Sequence, residues 1–341
     1  MTITISDVAE KAGVSIATVS RYLRGERVRS AKRVLEAIEA LEYRPAVAAR
    51  SLRSGIHYAV AMIVPDITNP YFAAVAKGVE SVFRDTSYRL LLANTDESTE
   101  VEDAVLHDVM RRVDGIILAP AAEQEETPLQ VRRDGMPIVL VDRELSAKSF
   151  DSVLVDNRGG AAAAARHLLG FGHKAIAMIS GPLVNTPGRI RYDGFLAALA
   201  EAGIKPQSAH LEVADFRESG GYQAMMRLLD LPEPPTAVFC ANNVMTVGTL
   251  KALAARKVRV PKDISVIGFD DLDLGMLLNP PLTVIDRPAE EQGAAAARLM
   301  LRRLASDEAS APDRIMLQTR LVARASCAAP RDGGLPRRRQ A

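Results

Sequence analysis

From Tyr58 onward the chain alternates between two patterns. Short, nearly continuous apolar runs occur at Tyr58–Val64, Arg89–Ala93, Gly115–Ala119, Pro137–Val141 and Ser152–Val155. Between them lie stretches whose apolar positions recur every three or four residues, clearest at Pro70–Arg84 and Val101–Arg112. A second set repeats the scheme. Its runs are Ala175–Ser180, Ala209–Val213, Ala237–Ala241 and Ile264–Phe269, and its helical patterns are Gly160–Leu169, Arg189–Ala202, Gly221–Leu229 and Asn243–Ala255. A last run, Leu282–Ile285, leads into a long helix over Ala289–Leu304. Continuous apolar strands separated by amphipathic helices predict parallel sheets covered on both faces. Two such sets predict two similar α/β subdomains.

The first 57 residues follow a different pattern. Val8, Ala9 and Ala12 fall on one helical face that Ser6 can cap, and Val19, Tyr22 and Leu23 fall on a second face that Ser15 can cap. Gly13 between them has the backbone freedom for a sharp turn. The pattern predicts a helix-turn-helix whose second helix enters a DNA major groove, against the plainer alternative of a helical hairpin in a larger core. Val34, Leu35, Ile38 and Leu41 give a third helix, which Tyr43-Arg44-Pro45 stops.

Charge strengthens the first reading. The whole chain is nearly neutral at +1, but residues 1–57 carry ten Lys/Arg against six Asp/Glu, leaving the remainder slightly acidic. A basic head on an acidic body fits a polyanion-binding module. The stretch Ala46–Gly55 is either a linker or a marginal helix that folds on a surface. Arg50 and Arg53 flanking Leu52 favour the second, with the arginines on phosphates and the leucine wedged in a minor groove.

Composition excludes several classes. Two cysteines, Cys240 and Cys327, give no disulfide framework, and Cys240 sits in an apolar run that reads as core packing. No apolar run is long enough to span a membrane and the N-terminus has no signal-peptide pattern, so a soluble cytoplasmic protein is expected. The five histidines form no metal-spaced cluster, with His167 and His173 read as surface or capping residues. Phosphate loops, dinucleotide fingerprints and nucleophile elbows are missing, so neither cofactor, metal nor catalytic role is expected. Asp270 and Asp271, being adjacent, are expected to diverge.

Ligands in open α/β sheets bind beyond the carboxyl ends of strands. The residues just after those strands are polar or aromatic: Pro65 to Phe72, Asp142-Arg143, the stretch GPLVNTPGRIR ending at Arg191, Asp215-Phe216, Asn242-Asn243 and Asp270-Asp271. Each has an ordinary explanation as a cap or turn residue. Together they form an inventory for a sugar: hydroxyl acceptors, forked donors and flat apolar faces.

At this point the chain resembles the LacI/GalR family of bacterial transcription regulators. The motifs DVAEKAGVSIATVSRYL, VPDITNPYF, RRVDGIILAP, FGHKAIAMISGP and DISVIGFDD carry the resemblance in order from about Ile3 to about Pro330. It implies an all-α helix-turn-helix head (1–44), a hinge helix or linker (45–57) and a periplasmic-binding-protein-like core (58–327). The core would have an N-subdomain of about 58–157 and 286–318 and a C-subdomain of about 158–285 and 319–327, followed by a disordered tail at 328–341. It implies base- and backbone-contacting roles for Ser15, Ile16, Ala17, Thr18, Ser20 and Arg21, and hinge contacts from Ala49 and Leu52. An effector pocket would use Tyr71, Phe72, Asp142, Arg143, Asn185, Pro187, Arg191, Phe216, Asn242, Asp270 and Arg287.

The implied protein is a homodimeric repressor of a pseudo-palindromic operator on double-stranded DNA. Its effector would be a sugar, sugar acid or sugar phosphate, the last two favoured if Arg143, Arg191 and Arg287 all face the pocket together with Asp142 and Asp270. A transport-type binding protein and a sugar-converting enzyme are the alternatives. Three departures stand out: Arg24 where Asn is common before the glycine, a third-helix opening two residues short, and Arg287 where Gln is frequent.

Overall fold

The computed structural model describes residues 3–23, 26–43, 56–123, 126–146, 149–272, 275–306 and 311–331. The chain divides into two units, residues 1–58 and 59–341.

In the first unit, α1 (Ile5–Ala12), α2 (Ile16–Leu23) and α3 (Ala31–Ala40) enclose a small core of Val8, Ala9, Ala12, Val19, Val34 and Ala37. Helix α1 begins two residues earlier than Ser6 would allow as a cap. Thr4 is the N-cap residue, and the Asp7 carboxylate accepts from its backbone N–H at 2.7 Å and its hydroxyl at 2.8 Å. Gly13 takes the left-handed conformation (φ 60°) that closes α1. The Arg33 guanidinium donates to the Gly13 carbonyl at 3.1 Å, tying α3 to the turn. The Ser15 hydroxyl accepts from the Thr18 N–H at 3.2 Å at the start of α2.

The second unit holds two six-stranded sheets. Its N-subdomain comprises β1 (Ala59–Val64), α4 (Pro70–Phe83), β2 (Arg89–Asn94), α5 (Thr99–Val109), β3 (Gly115–Leu118), α6 (Glu126–Arg133), β4 (Ile138–Val141) and β5 (Asp151–Val155). The chain then crosses to the C-subdomain: α7 (Asn157–Gly170), β6 (Ile176–Ser180), α8 (Thr186–Glu201), β7 (Leu211–Val213), α9 (Glu218–Leu229), β8 (Ala237–Cys240), α10 (Asn243–Ala255), β9 (Ser265–Phe269) and β10 (Thr283–Asp286). It returns through α11 (Ala289–Leu304) and β11 (Arg314–Leu317), and crosses a third time into β12 (Arg320–Val322).

Strand order is β11-β5-β4-β3-β1-β2 in one sheet and β12-β10-β9-β8-β6-β7 in the other. All pairings are parallel except β10 with β12. Each order reverses beside its first strand, and the crevice at such a reversal lies beyond the carboxyl ends of the strands. Strands β1, β3, β4, β6, β8 and β9 are buried almost throughout, as their continuous apolar runs require. Helix α11 packs closely on α4. A Cβ on Gly293 would sit 1.9 Å from the Val75 carbonyl oxygen, and one on Gly78 would sit 2.0 Å from that of Glu290. Only glycine lets these backbones touch, and the contact fixes the helix whose first turn carries Tyr71 and Phe72.

Residues 328 and 331, expected to belong to the tail, instead contact the C-subdomain. Ala328 accepts from His173 Nε2 at 2.8 Å, and Arg331 lies 3.4 Å from Asp263. His173 itself is buried, not a surface residue. Its ring also meets Thr236 at 2.8 Å and Ser265 at 3.0 Å, because residues 326–328 fold back over the sheet. Cys240 is fully buried, and burial pushes its thiol up to about 12, so it packs and does no chemistry.

Candidate functional site

In the first unit, Ser15, Ile16, Ala17 and Arg21 lie on the exposed side of α2, with Thr18 and Ser20 half-buried beside them. Val19 faces the opposite way, fully buried in the small core. Ala49 and Leu52 lie outside the described residues.

In the second unit a cleft lies between the two subdomains. Of the eleven residues expected there, nine line it: Tyr71, Phe72, Asp142, Arg143, Pro187, Arg191, Phe216, Asn242 and Arg287. Asn185 is buried behind it as the N-cap of α8, where its side chain accepts from the Gly188 N–H at 3.2 Å. Asp270 stands behind Arg287, holding it. Five further residues complete the lining: Asp66, Asn69, Glu97, Asp215 and Arg217. Asp66, Asn69 and Asp215 lie in the polar strand ends visible in the sequence. Glu97 and Arg217 carried no signal beyond sitting after β2 and after Phe216.

Three of the placed residues, Asp142 (φ 67°), Phe216 (φ 62°) and Asp270 (φ 69°), hold left-handed backbone conformations without being glycine. Such conformations cost energy and persist where the surroundings impose them, commonly at functional sites.

The three arginines do quite different things. Arg143 forms a two-pronged pair with Glu97, both bonds 2.7 Å, and donates to the carbonyls of Pro120 at 2.9 Å and Ala121 at 3.2 Å. Arg287 lies between two carboxylates: Nη1 donates to Asp142, while Nε and Nη2 donate to Asp270, the latter at 3.0 Å. Its Cζ sits 3.3 Å from the centre of the Tyr71 ring, a close cation–π stack. Burial opposes the Arg287 charge, but Asp270, Tyr71 and Asp142 more than offset this and raise its pKa.

Among the described residues, Arg191 has no carboxylate hydrogen-bond partner. It donates to Asn157 Oδ1 at 2.7 Å and to the Ala241 carbonyl at 2.5 Å, with its Cζ 3.6 Å from the Phe269 ring centre. Burial, with Arg287 nearby, brings its pKa down to about 10, so it stays charged near neutrality. Two buried N–H groups in the lining find no acceptor among the described residues: Arg191 Nη2 and Arg143 Nε.

The side chains leave a free volume of about 30 Å³, whereas ligand pockets run to about 300 Å³ or more. Contacts reach across. Asn243 Nδ2 donates to Asn69 Oδ1 at 3.1 Å, Thr186 to Glu123 at 3.0 Å, and Arg189 to Glu123 at 2.8 Å. Gln292, buried on α11 and not anticipated from the sequence, accepts from the Tyr71 hydroxyl at 2.7 Å and donates to the Val153 carbonyl at 2.8 Å. That bond draws the hydroxyl away and turns the ring face to Arg287. Asp270 and Asp271 diverge, the second pairing with Arg324.

A helix-turn-helix unit followed by a two-subdomain cleft of this topology defines a ligand-responsive DNA-binding regulator. The chain belongs to the lacI family of bacterial regulatory proteins: residues 4–46 match "Bacterial regulatory proteins, lacI family", and residues 165–327 match "Periplasmic binding protein-like domain". The ribose operon repressor of Escherichia coli (strain K12) is 35% identical over 306 residues, 88% of this chain and 93% of that protein. Among solved structures, a complex of the transcriptional regulator CelR with cellobiose is 30% identical with a TM-score of 0.74, covering 95% of this chain and 99% of that one. A LacI family regulator from Enterococcus faecium with bound ribose is also 30% identical, TM-score 0.73, covering 80% and 100%. The protein is therefore a DNA-binding transcriptional regulator of the repressor type. No described helix is long and apolar enough to cross a membrane.

Proposed function

We propose that this protein is a cytoplasmic, homodimeric repressor whose affinity for a pseudo-palindromic operator is set by a neutral sugar or close sugar derivative in the cleft. The observation that carries the ligand half is the pair of buried, unpartnered N–H groups on Arg191 and Arg143. A bound molecule that brings oxygen acceptors to them would satisfy donors that are costly to leave buried without partners.

Charge then narrows the class. Arg143 and Glu97 cancel. Arg287 with Asp142 and Asp270 leaves one negative charge, which Arg191 balances. A neutral polyhydroxyl ligand keeps this buried balance, whereas a sugar acid or phosphate adds a charge with no counter-ion. This favours a neutral sugar over the acid and phosphate readings. The relatives solved with cellobiose and ribose point the same way.

On the DNA side, Arg21 suits a guanine edge, and Ile16 and Ala17 suit thymine methyls. Ser15, Thr18 and Ser20 would contact phosphates. Ala49 and Leu52 would act at the minor groove. Two heads reading two half-sites require a dimer, and exposed Leu91, Leu92, Met276 and Leu277 on the core are apolar groups a second copy would cover.

Thermal-shift measurements with neutral sugars, sugar acids and sugar phosphates test the ligand, followed by operator footprinting with and without the stabilising compound. Stabilisation by acids alone, or by none of the three, overturns the neutral-sugar reading. A monomer in sedimentation at micromolar concentration overturns the dimer.

A further inference from the structure

We propose that Arg287 is a resident occupant of the cleft: it holds the two subdomains closed in the absence of effector, and an effector enters by displacing it from Tyr71. The proposal rests on reading the cleft as the effector site only for its second half. Asp142 stands at the end of β4 in one sheet, and Asp270 at the end of β9 in the other. One guanidinium, itself on the segment crossing between the sheets, donates to both. It is a staple across the cleft rather than a side chain lining one wall.

Its seat is built. Gln292 takes the Tyr71 hydroxyl, so the ring offers its face, and the guanidinium lies flat on that face with Phe269 5.9 Å away on another side. All three charged groups are buried. Arg287 thus covers an aromatic face on which a sugar ring would stack, and occupies acceptors that sugar hydroxyls would use. The free volume of about 30 Å³ and the Asn243–Asn69 bond are the closed state that this arrangement maintains.

The shorter glutamine side chain cannot form the fork, and without it Asp270 loses its ion pair while Asp142 keeps only Arg143 Nε at 3.9 Å, leaving two buried carboxylates facing each other across the cleft with a single cation between them. Breaking a buried pair by removing one partner is strongly unfavourable, and the cheapest relief is to open the cleft and hydrate both acids.

The test is hydrogen exchange on the full-length, ligand-free protein and its Arg287→Gln and Arg287→Lys variants. It follows peptides over residues 65–75 and 241–249, with β6 and β8 as internal references. The expected result for Arg287→Gln is exchange about tenfold faster or more in both cleft peptides, with the reference strands unchanged. Arg287→Lys keeps the charge but loses the fork, and falls between. Unchanged exchange in both cleft peptides overturns the proposal. Equal loss of protection everywhere also overturns it, since Arg287 would then be a general structural ion.

D-ribose is the ligand probe. Its half-saturating concentration in a thermal-shift titration is expected to fall in Arg287→Gln, where no resident side chain competes, and a rise overturns the displacement half. A lack of response to D-ribose in every protein counts against ribose as the effector, and the ligand-free exchange still decides the staple.

Discussion

Val19→Ala should separate the two units of this protein energetically. Val19 is fully exposed to none of the solvent and sits where α1, α2 and α3 meet. Truncation removes two methyl groups, about 1.6 kcal/mol of transfer free energy at about 0.8 per carbon. The cavity left behind adds about 1 kcal/mol, and the better helix propensity of alanine returns about 0.5. The net cost is about 2 kcal/mol. A head of this size has a total stability of only about 2–6 kcal/mol at about 0.05–0.15 per residue. Its melting midpoint should therefore fall by roughly 8–16 °C, at about 4–8 °C per kcal/mol for a small domain.

Scanning calorimetry of the intact protein reads this directly, with the core transition as internal standard. Operator binding followed by anisotropy should be lost above the lowered midpoint and retained well below it. Ile16→Ala is the companion variant: Ile16 is 44% exposed, so its truncation should leave the midpoint unmoved while weakening operator binding. An unmoved head transition in Val19→Ala, or a core transition that falls with it, would refute the reasoning.

Other outcomes follow from single groups. Arg21→Ala should cost about 1–3 kcal/mol of specific operator binding and relax preference at one base position, measured by competition with single-base operator variants; unchanged discrimination removes Arg21 from base reading. Arg191→Ala should abolish the response to effector while leaving operator affinity nearly intact, checked by operator titration with and without the ligand found by thermal shift. Glu102 is buried on α5, and burial lifts its carboxyl to about 7 despite the Ala121 N–H it accepts at 2.7 Å. An acid with a raised folded pKa favours the folded state most at low pH, and this contribution is lost as pH rises from about 4.5 through about 7. Glu102→Gln should therefore match the parent protein in urea unfolding near pH 4.5 and exceed its stability by about 2–3 kcal/mol at pH 8; parallel pH profiles would rule this out.

Legibility in the sequence followed burial. Strands shielded on both faces, such as β1 with AVAMIV and β9 with SVIGF, are unbroken apolar runs and stood out. Strands β11 and β12 did not, because they are short edge strands with no fully buried position and an exposed arginine at their start. Helix α6 buries only Pro128 and Val131, too few positions to show a period.

In the cleft, the chemistry at the strand ends was legible as residue types, but partnerships were not. Nothing local says that Arg143 pairs with a carboxylate 46 residues earlier, or that Arg287 spans 145 residues to reach Asp142. The expectation of three ligand-facing guanidiniums sets them against Asp142 and Asp270 but not against Glu97, the acid that neutralises Arg143. Gln292 carries no signal of its own within the last long helix, yet it is fully buried because Tyr71 and the Val153 carbonyl satisfy it. His173 was misplaced for a similar reason: the segment that buries it arrives 155 residues later.

The threefold crossing of the chain has a consequence for how the protein is made. Strand β5 leaves the ribosome with one edge open, and its neighbour β11 ends only at Leu317. At about 5–20 residues per second, that wait is roughly 8–30 s. Strand β10 in turn awaits β12, which ends at Val322. Both sheets are therefore completed by one hairpin-length piece of chain made after all their other strands. A transcript ending before Arg314 would yield two nearly complete half-molecules, each with a bare strand edge, a template for coaggregation with other nascent chains.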